Sequence, residues 1–324
     1  MSERTEINGI AGLIGDITQT FASDAVCSDM LISSYKAVSG DPELSDNEKR
    51  YFDDALGGTL GLLDQIRNPQ IFGTDGNRTV KLFFCPASRA VPDVLKDGFA
   101  EKEDAFYKKM SVFCPGLFKS GTHFDKLEAL YVSGAPTRMT RAYADPFTAL
   151  YYACGGEGDA EIAVFAVPLS ELSHPDSDRA LMLSCLPKLS FAKKRELLEA
   201  SYASLLVKRF QQLKGGSRYL DEAPEELYRE ITTEKPFFRR DIDPADLLKP
   251  LFVMPYGRQD GAYIISGLCL SEKEAARRVN AMTVKTYAVR DKQKLLSELE
   301  AVGFDGARLS SAPGETAEYI KNNT

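Results

Sequence analysis

Tyr131 to Pro168 reads YVSGAPTRMTRAYADPFTALYYACGGEGDAEIAVFAVP, and this stretch decides the fold. Gly134 closes a helix, because glycine takes the left-handed backbone at no side-chain cost. A polar turn follows and runs into a strand. Asp145 caps a second helix and Pro146 opens it, where a missing N–H costs nothing. Phe147, Leu150, Tyr151 and Cys154 stand at i, i+3, i+4 and i+7, so one face of that helix is apolar. Gly155 and Gly156 stop it. Ile162 to Val167 is almost unbroken apolar sequence, the pattern of a strand covered on both faces.

The turn between these elements is Pro136-Thr137-Arg138-Met139-Thr140-Arg141. At the sheet edge of a cleft, its guanidinium and hydroxyl groups would face an anionic ligand. The competing reading has an arginine pairing with Asp145 or Glu128 and buttressing the loop. Local residues leave both open.

Outward from this centre, the chain of 324 residues is long enough for a large core, as one big domain or a core with a smaller module. Apolar content is 44% and charged content 27%, as in a folded soluble protein. A net charge of −7 argues against broad nucleic-acid binding but leaves room for a local basic pocket. The six cysteines form no CxxC pair and only two histidines accompany them, so no metal site is expected. Neither a signal peptide nor an apolar run of about 18 residues is present, and a reduced, cytoplasmic protein with no membrane span is expected.

Residues 1–72 read as a helical segment. Ile7, Ile10, Leu13, Ile14 and Ile17 fall at helix spacing. A second helix spans about 24–38, and Ser45-Asp46-Asn47-Glu48 has the form of a capping box opening a third. No catalytic constellation stands here, and the segment is expected to act as a cap or a partner-binding surface. Thr79 to Cys85 reads as a strand, Lys102 to Met110 as a helix, and Phe124, Leu127, Leu130 and Tyr131 as a helical stripe behind His123. Ser190 to Leu213 is a long helix, with Lys193, Lys194, Arg195, Lys208 and Arg209 assigned to its solvated face. Pro255-Tyr256-Gly257-Arg258-Gln259-Asp260-Gly261 is a loop between two apolar runs, from which Arg258, Gln259 and Asp260 project. Ser271 and Asp291 cap two further helices, and Val284 to Val289 is a strand.

Taken in order, the Gly134-x-Pro136-Thr137-Arg138 turn, the ADPFTALYYAC helix, the IAVFAV strand, the Gly-Arg-Gln-Asp-Gly-Ala-Tyr segment and the LLSELEAVGFDGARL tail resemble the FRG domain family. The likeness covers roughly residues 79–320. It departs from the family where the name-giving Phe-Arg-Gly falls at Phe84-Cys85-Pro86, and where Met139-Thr140-Arg141 replaces Leu-Leu-Asp. Arg89, one turn further on, is the candidate to replace the missing cation.

The resemblance implies an α+β fold: a mixed, mostly antiparallel sheet of ADP-ribosyltransferase-like type flanked by helices, with an N-terminal helical cap. It places an FRG-like domain at 73–324, with a helical insertion at about 188–235. It implies NAD as a substrate, and an ADP-ribosyltransferase or NAD glycohydrolase acting as a bacterial toxin or phage-defence effector. Arg89, Thr137 and Arg138 would then meet the pyrophosphate, and Tyr151 and Tyr263 would wall the nicotinamide. Gln259 and Arg138 take the catalytic positions. Gln259 is neutral, so it would position substrate without supplying charge, and adjacent Asp260 would point to the opposite face of a strand. The alternative is a catalytically inactive FRG-like module that binds a nucleotide or, through its N-terminal helices, a protein partner.

Overall fold

The computed structural model describes residues 3–21, 80–119, 121–156, 158–211, 229, 244–256 and 260–304. They form an α+β fold of seven strands, mostly antiparallel, and eight α-helices among the described residues. The strands are β1 (Glu3–Ile7), β2 (Val80–Pro86), β3 (Met139–Tyr143), β4 (Glu161–Pro168), β5 (Leu251–Val253), β6 (Gly261–Ile265) and β7 (Thr283–Val289). The helices are α1 (Ile10–Phe21), α2 (Glu103–Phe113), α3 (His123–Val132), α4 (Pro146–Cys154), α5 (Asp178–Cys185), α6 (Phe191–Gln211), α7 (Glu272–Met282) and α8 (Lys292–Ala301).

The described residues fall into two compact units, one within residues 1–88, 142–170 and 283–324, the other within 89–141 and 171–282. In the first unit the strand order is β1-β7-β4-β2, with the end of β3 beside β2 through Phe84 and Tyr143. β4 runs antiparallel to both neighbours, setting Phe84 against Val164 and Ile162 against Tyr287. β1 joins β7 in parallel. Alternation sends Leu82, Phe84, Ile162 and Val164 to one face, where they share a core with Leu13 and Ile17 of α1, Phe147 and Leu150 of α4, and Leu295 and Leu299 of α8. Ile162 to Phe165 are all buried, as the unbroken apolar run requires.

Glu3–Ile7 is a strand, not the start of a helix. Ile7 shares the spacing of Ile10 because the last inward strand residue and the first helical residue enter the same core. The helix expected at about 24–38, the Ser45–Glu48 capping box and the helix following it lie outside the described residues.

In the second unit β6 lies between β3 and β5. Its core gathers Phe124 and Leu127 of α3, Leu181 and Leu183 of α5, Leu197 of α6, and Met139, Val253 and Ile265 of the strands. α5 has no counterpart in the sequence reading. No helix among the described residues is long and apolar enough to cross a membrane.

The termini of α4 follow their local chemistry. Asp145 Oδ1 accepts from the Thr148 N–H at 2.7 Å, and its Oδ2 accepts from the Thr148 hydroxyl at 2.6 Å. Gly134 ends α3 at φ +80°. Asp145→Ala, which removes both bonds at a buried position, should cost about 1–2 kcal/mol in urea denaturation. Asp145→Asn should retain most of that stability.

Candidate functional site

The polar turn enters β3 with its two arginines in different environments. Arg138 is fully buried, with 0% of its surface exposed. Its Nε donates to Glu103 Oε1 at 2.8 Å, its Nη2 to Glu103 Oε2 at 2.7 Å, and its Nη1 to the Cys269 carbonyl at 3.0 Å. Lys194 of α6, also 0% exposed, donates to the same Glu103 Oε2 at 2.7 Å. One carboxylate therefore serves two buried cations. Burial works against charge at Glu103, but Arg138 and Lys194 outweigh it and hold the carboxyl below its usual range. Burial pulls the Lys194 ammonium down, and Glu103 offsets this only in part.

This changes two assignments made from sequence. The partner of Arg138 is Glu103, neither Asp145 nor Glu128. Lys194, assigned to the solvated face of its helix, lies on the buried face with Leu197 and Ser201. The spacing i, i+3, i+7 through those buried residues was the available signal, and a lysine reads as solvated unless a carboxylate is known to face it.

Thr137 is also buried, and its hydroxyl exchanges hydrogen bonds with the backbone of Met139. Arg89 is exposed, and its carbonyl accepts from the Thr140 hydroxyl at 2.6 Å. Tyr151, in the first unit, is half-buried and meets Tyr152 edge-on. Gln259 lies outside the described residues, as do Gly257 and Arg258. Of the residues given a ligand-binding role from sequence, Tyr263 lies beside Arg141, whose Nη1 has no hydrogen-bond partner.

That constellation centres on Arg141, which is 8% exposed. Its guanidinium carbon sits 4.7 Å from the centre of the Tyr263 ring. Its Nη2 donates to Asp260 Oδ2 at 2.6 Å, and Asp260 is 65% exposed. Its backbone N–H donates to the Tyr131 hydroxyl at 3.2 Å, and Tyr131 packs edge-on against Tyr263. Nη1 is buried without a hydrogen-bond partner. β3 explains the division of labour: Met139 and Arg141 point to the side of Tyr263, while Thr140 turns the other way to Arg89. Asp260, immediately before β6, faces a strand neighbour of its own sheet.

A separate small recess is lined by Ala90, Ile264, Ser266, Cys269, Ala275 and Arg278. The Ser266 hydroxyl there has no hydrogen-bond partner, but the space is that of about one water and too small for a nucleotide. Among the described residues no group of three or more His, Cys, Asp or Glu side chains gathers in a metal-binding arrangement. Comparison with family models, with curated proteins and with solved structures returns no match to this chain.

Glu103→Gln leaves two buried cations short of their counter-charge and should cost about 3–5 kcal/mol of unfolding free energy. Replacing Glu103, Arg138 and Lys194 together by Leu, Met and Met should cost less than that single change. Because the folded-state Glu103 carboxyl titrates below its unfolded value, its contribution is full above the ordinary carboxylate pKa and is lost as pH falls through the folded value. Denaturation of the wild type at descending pH should show this acid loss, and Glu103→Gln should lack that component.

Proposed function

We propose that this chain is an FRG-like protein of ADP-ribosyltransferase-like type that takes NAD as its substrate, with Arg141 as the cation that meets the pyrophosphate. One observation carries the reading. Arg141 stacks on Tyr263 and spends one terminal nitrogen on an exposed carboxylate while the other has no partner. A guanidinium in that state has one buried nitrogen uncommitted and one held by an exposed carboxylate that a phosphate oxygen could displace. The order of motifs supports the family assignment, and Gln259 keeps its proposed role of positioning substrate by hydrogen bonds. In the reaction, the bond between the nicotinamide nitrogen and ribose C1′ breaks and nicotinamide leaves with the electron pair. Water or an acceptor nucleophile then adds to C1′ and gives up a proton. The oxocarbenium-like centre between these steps is stabilised by nearby negative charge. An effector acting as a toxin or in phage defence is the biological setting that fits such an activity.

A second reading has its own support. Arg138, the arginine of the Pro-Thr-Arg turn, is consumed by Glu103 and the Cys269 carbonyl, so that turn serves the core. This favours an inactive FRG-like module that binds a nucleotide, or a protein partner through residues 1–72.

Incubation of the pure protein with NAD, with and without candidate protein and nucleic-acid acceptors, separates the two. Nicotinamide release or ADP-ribosyl transfer that falls at least tenfold in Arg141→Lys, with little change in melting temperature, is the expected result for the enzyme. Thermal stabilisation by ADP-ribose without any turnover would select the inactive module. Neither turnover nor stabilisation at millimolar ligand would remove both.

A further inference from the structure

We infer that Asp260 is a built-in competitor for the anion seat on Arg141, holding the place that a phosphate group of the ligand takes over. The inference rests on the proposed nucleotide reading of this site and concerns how the site is regulated.

The geometry is that of a half-filled fork. An arginine presents its terminal nitrogens in a plane that matches two oxygens of a carboxylate or phosphate. Arg138 shows a carboxylate contacting the guanidinium through both oxygens, with Glu103 bonded to Nε and Nη2. Asp260 uses Oδ2 on Nη2 alone, and Nη1 stays unpartnered in a position where less than a tenth of the residue is exposed. Nη1 is enclosed in this arrangement and a buried donor without a partner is unfavourable, so an oxyanion that took the place of Asp260 and reached both nitrogens would gain a bond that Asp260 does not make. Asp260 is also the weaker holder, because its carboxylate is 65% exposed and keeps much of its hydration.

The other neighbours of Arg141 are packed aromatic groups. Tyr263 is buried beneath the guanidinium, packed against Phe124 and Tyr131, and the Arg141 backbone is tied to the Tyr131 hydroxyl. The exchangeable partner is thus the acidic side chain, and the ligand chemistry that replaces it is a phosphate or pyrophosphate group. In the resting protein Asp260 neutralises the seat and screens it from stray anions. Ligand binding trades the carboxylate on Nη2 for a phosphate and frees Asp260 at the edge of the site.

The test is calorimetric titration of the full chain with inorganic pyrophosphate and, separately, ADP-ribose. It compares wild type, Asp260→Asn, Arg141→Lys, the double variant, and Glu272→Gln as a control for loss of an exposed acid elsewhere. Asp260→Asn should bind pyrophosphate about two- to fivefold more tightly, the range set by an ion pair with one exposed partner. Glu272→Gln should bind as wild type, and the gain should vanish on the Arg141→Lys background. Equal or weaker binding by Asp260→Asn overturns the inference, as does a gain that Glu272→Gln matches or that survives in the double variant. Tight ADP-ribose binding indifferent to Asp260 would overturn the competitor while sparing the nucleotide reading. No binding of either ligand to any of the proteins would overturn both. Melting temperatures establish that each variant is folded, and Asp260→Ser serves as a second neutral replacement.

Discussion

A single carboxylate, Glu103, lies between Arg138 and Lys194 in the interior of the second unit, and the arrangement around β3 depends on it. Two cations and one anion leave the cluster with a positive excess. Such a group tolerates burial when its geometry is good and its remaining donors are satisfied. Arg138 meets that demand by giving its third nitrogen to the Cys269 carbonyl. Burial pushes the Cys269 thiol up, so it stays neutral and adds no competing anion. The cluster ties the first turn of α2, the entry of β3, α6 and the segment after β6 to one point.

With the start of β3 anchored, strand alternation does the rest. Residue 139 and residue 141 go to one side, residue 140 to the other. Arg141 therefore arrives over Tyr263, whose own position is set by its aromatic neighbours Phe124 and Tyr131. The two arginines of one hexapeptide differ in consequence. Arg138 has its charge matched from inside the protein and has become part of the core. Arg141 has a partner at the surface and a buried Nη1 with no hydrogen-bond partner. A cation–π contact with Tyr263 steadies the guanidinium without using any of its N–H groups, which keeps the in-plane hydrogen-bonding directions open.

Much of the fold was legible in the residues. Asp145 with Pro146, Ser271, and Asp291 mark helix starts by side-chain capping, and Asp145, Ser271 and Asp291 each accept the expected backbone bond. β2 and β4 follow from their apolar runs, since a strand buried on both faces has few other compositions available. β1 was hidden because its short sequence, ERTEI, carries one buried apolar residue at a spacing that a helix also satisfies. α5 was hidden because its eight residues hold too little periodicity to stand out from the surrounding loop. The site was half legible. Arg141 of the Pro136–Arg141 turn and Tyr263 come together in the structure, whereas the sequence reading put its weight on Arg138 because the motif likeness centres there.

What the sequence determined by itself was local: where helices begin and end, which runs are strands, and that a dense pair of arginines precedes a core helix. These follow from hydrogen bonds and side-chain patterns within a few residues, which the chain carries wherever it folds. Tertiary structure decided which arginine is matched wholly inside the core and which is paired at the surface. Glu103 lies 35 residues before Arg138, and Asp260 lies 119 residues after Arg141. The two guanidinium groups are chemically identical, and only the burial and partners supplied by distant segments give them different charges to face.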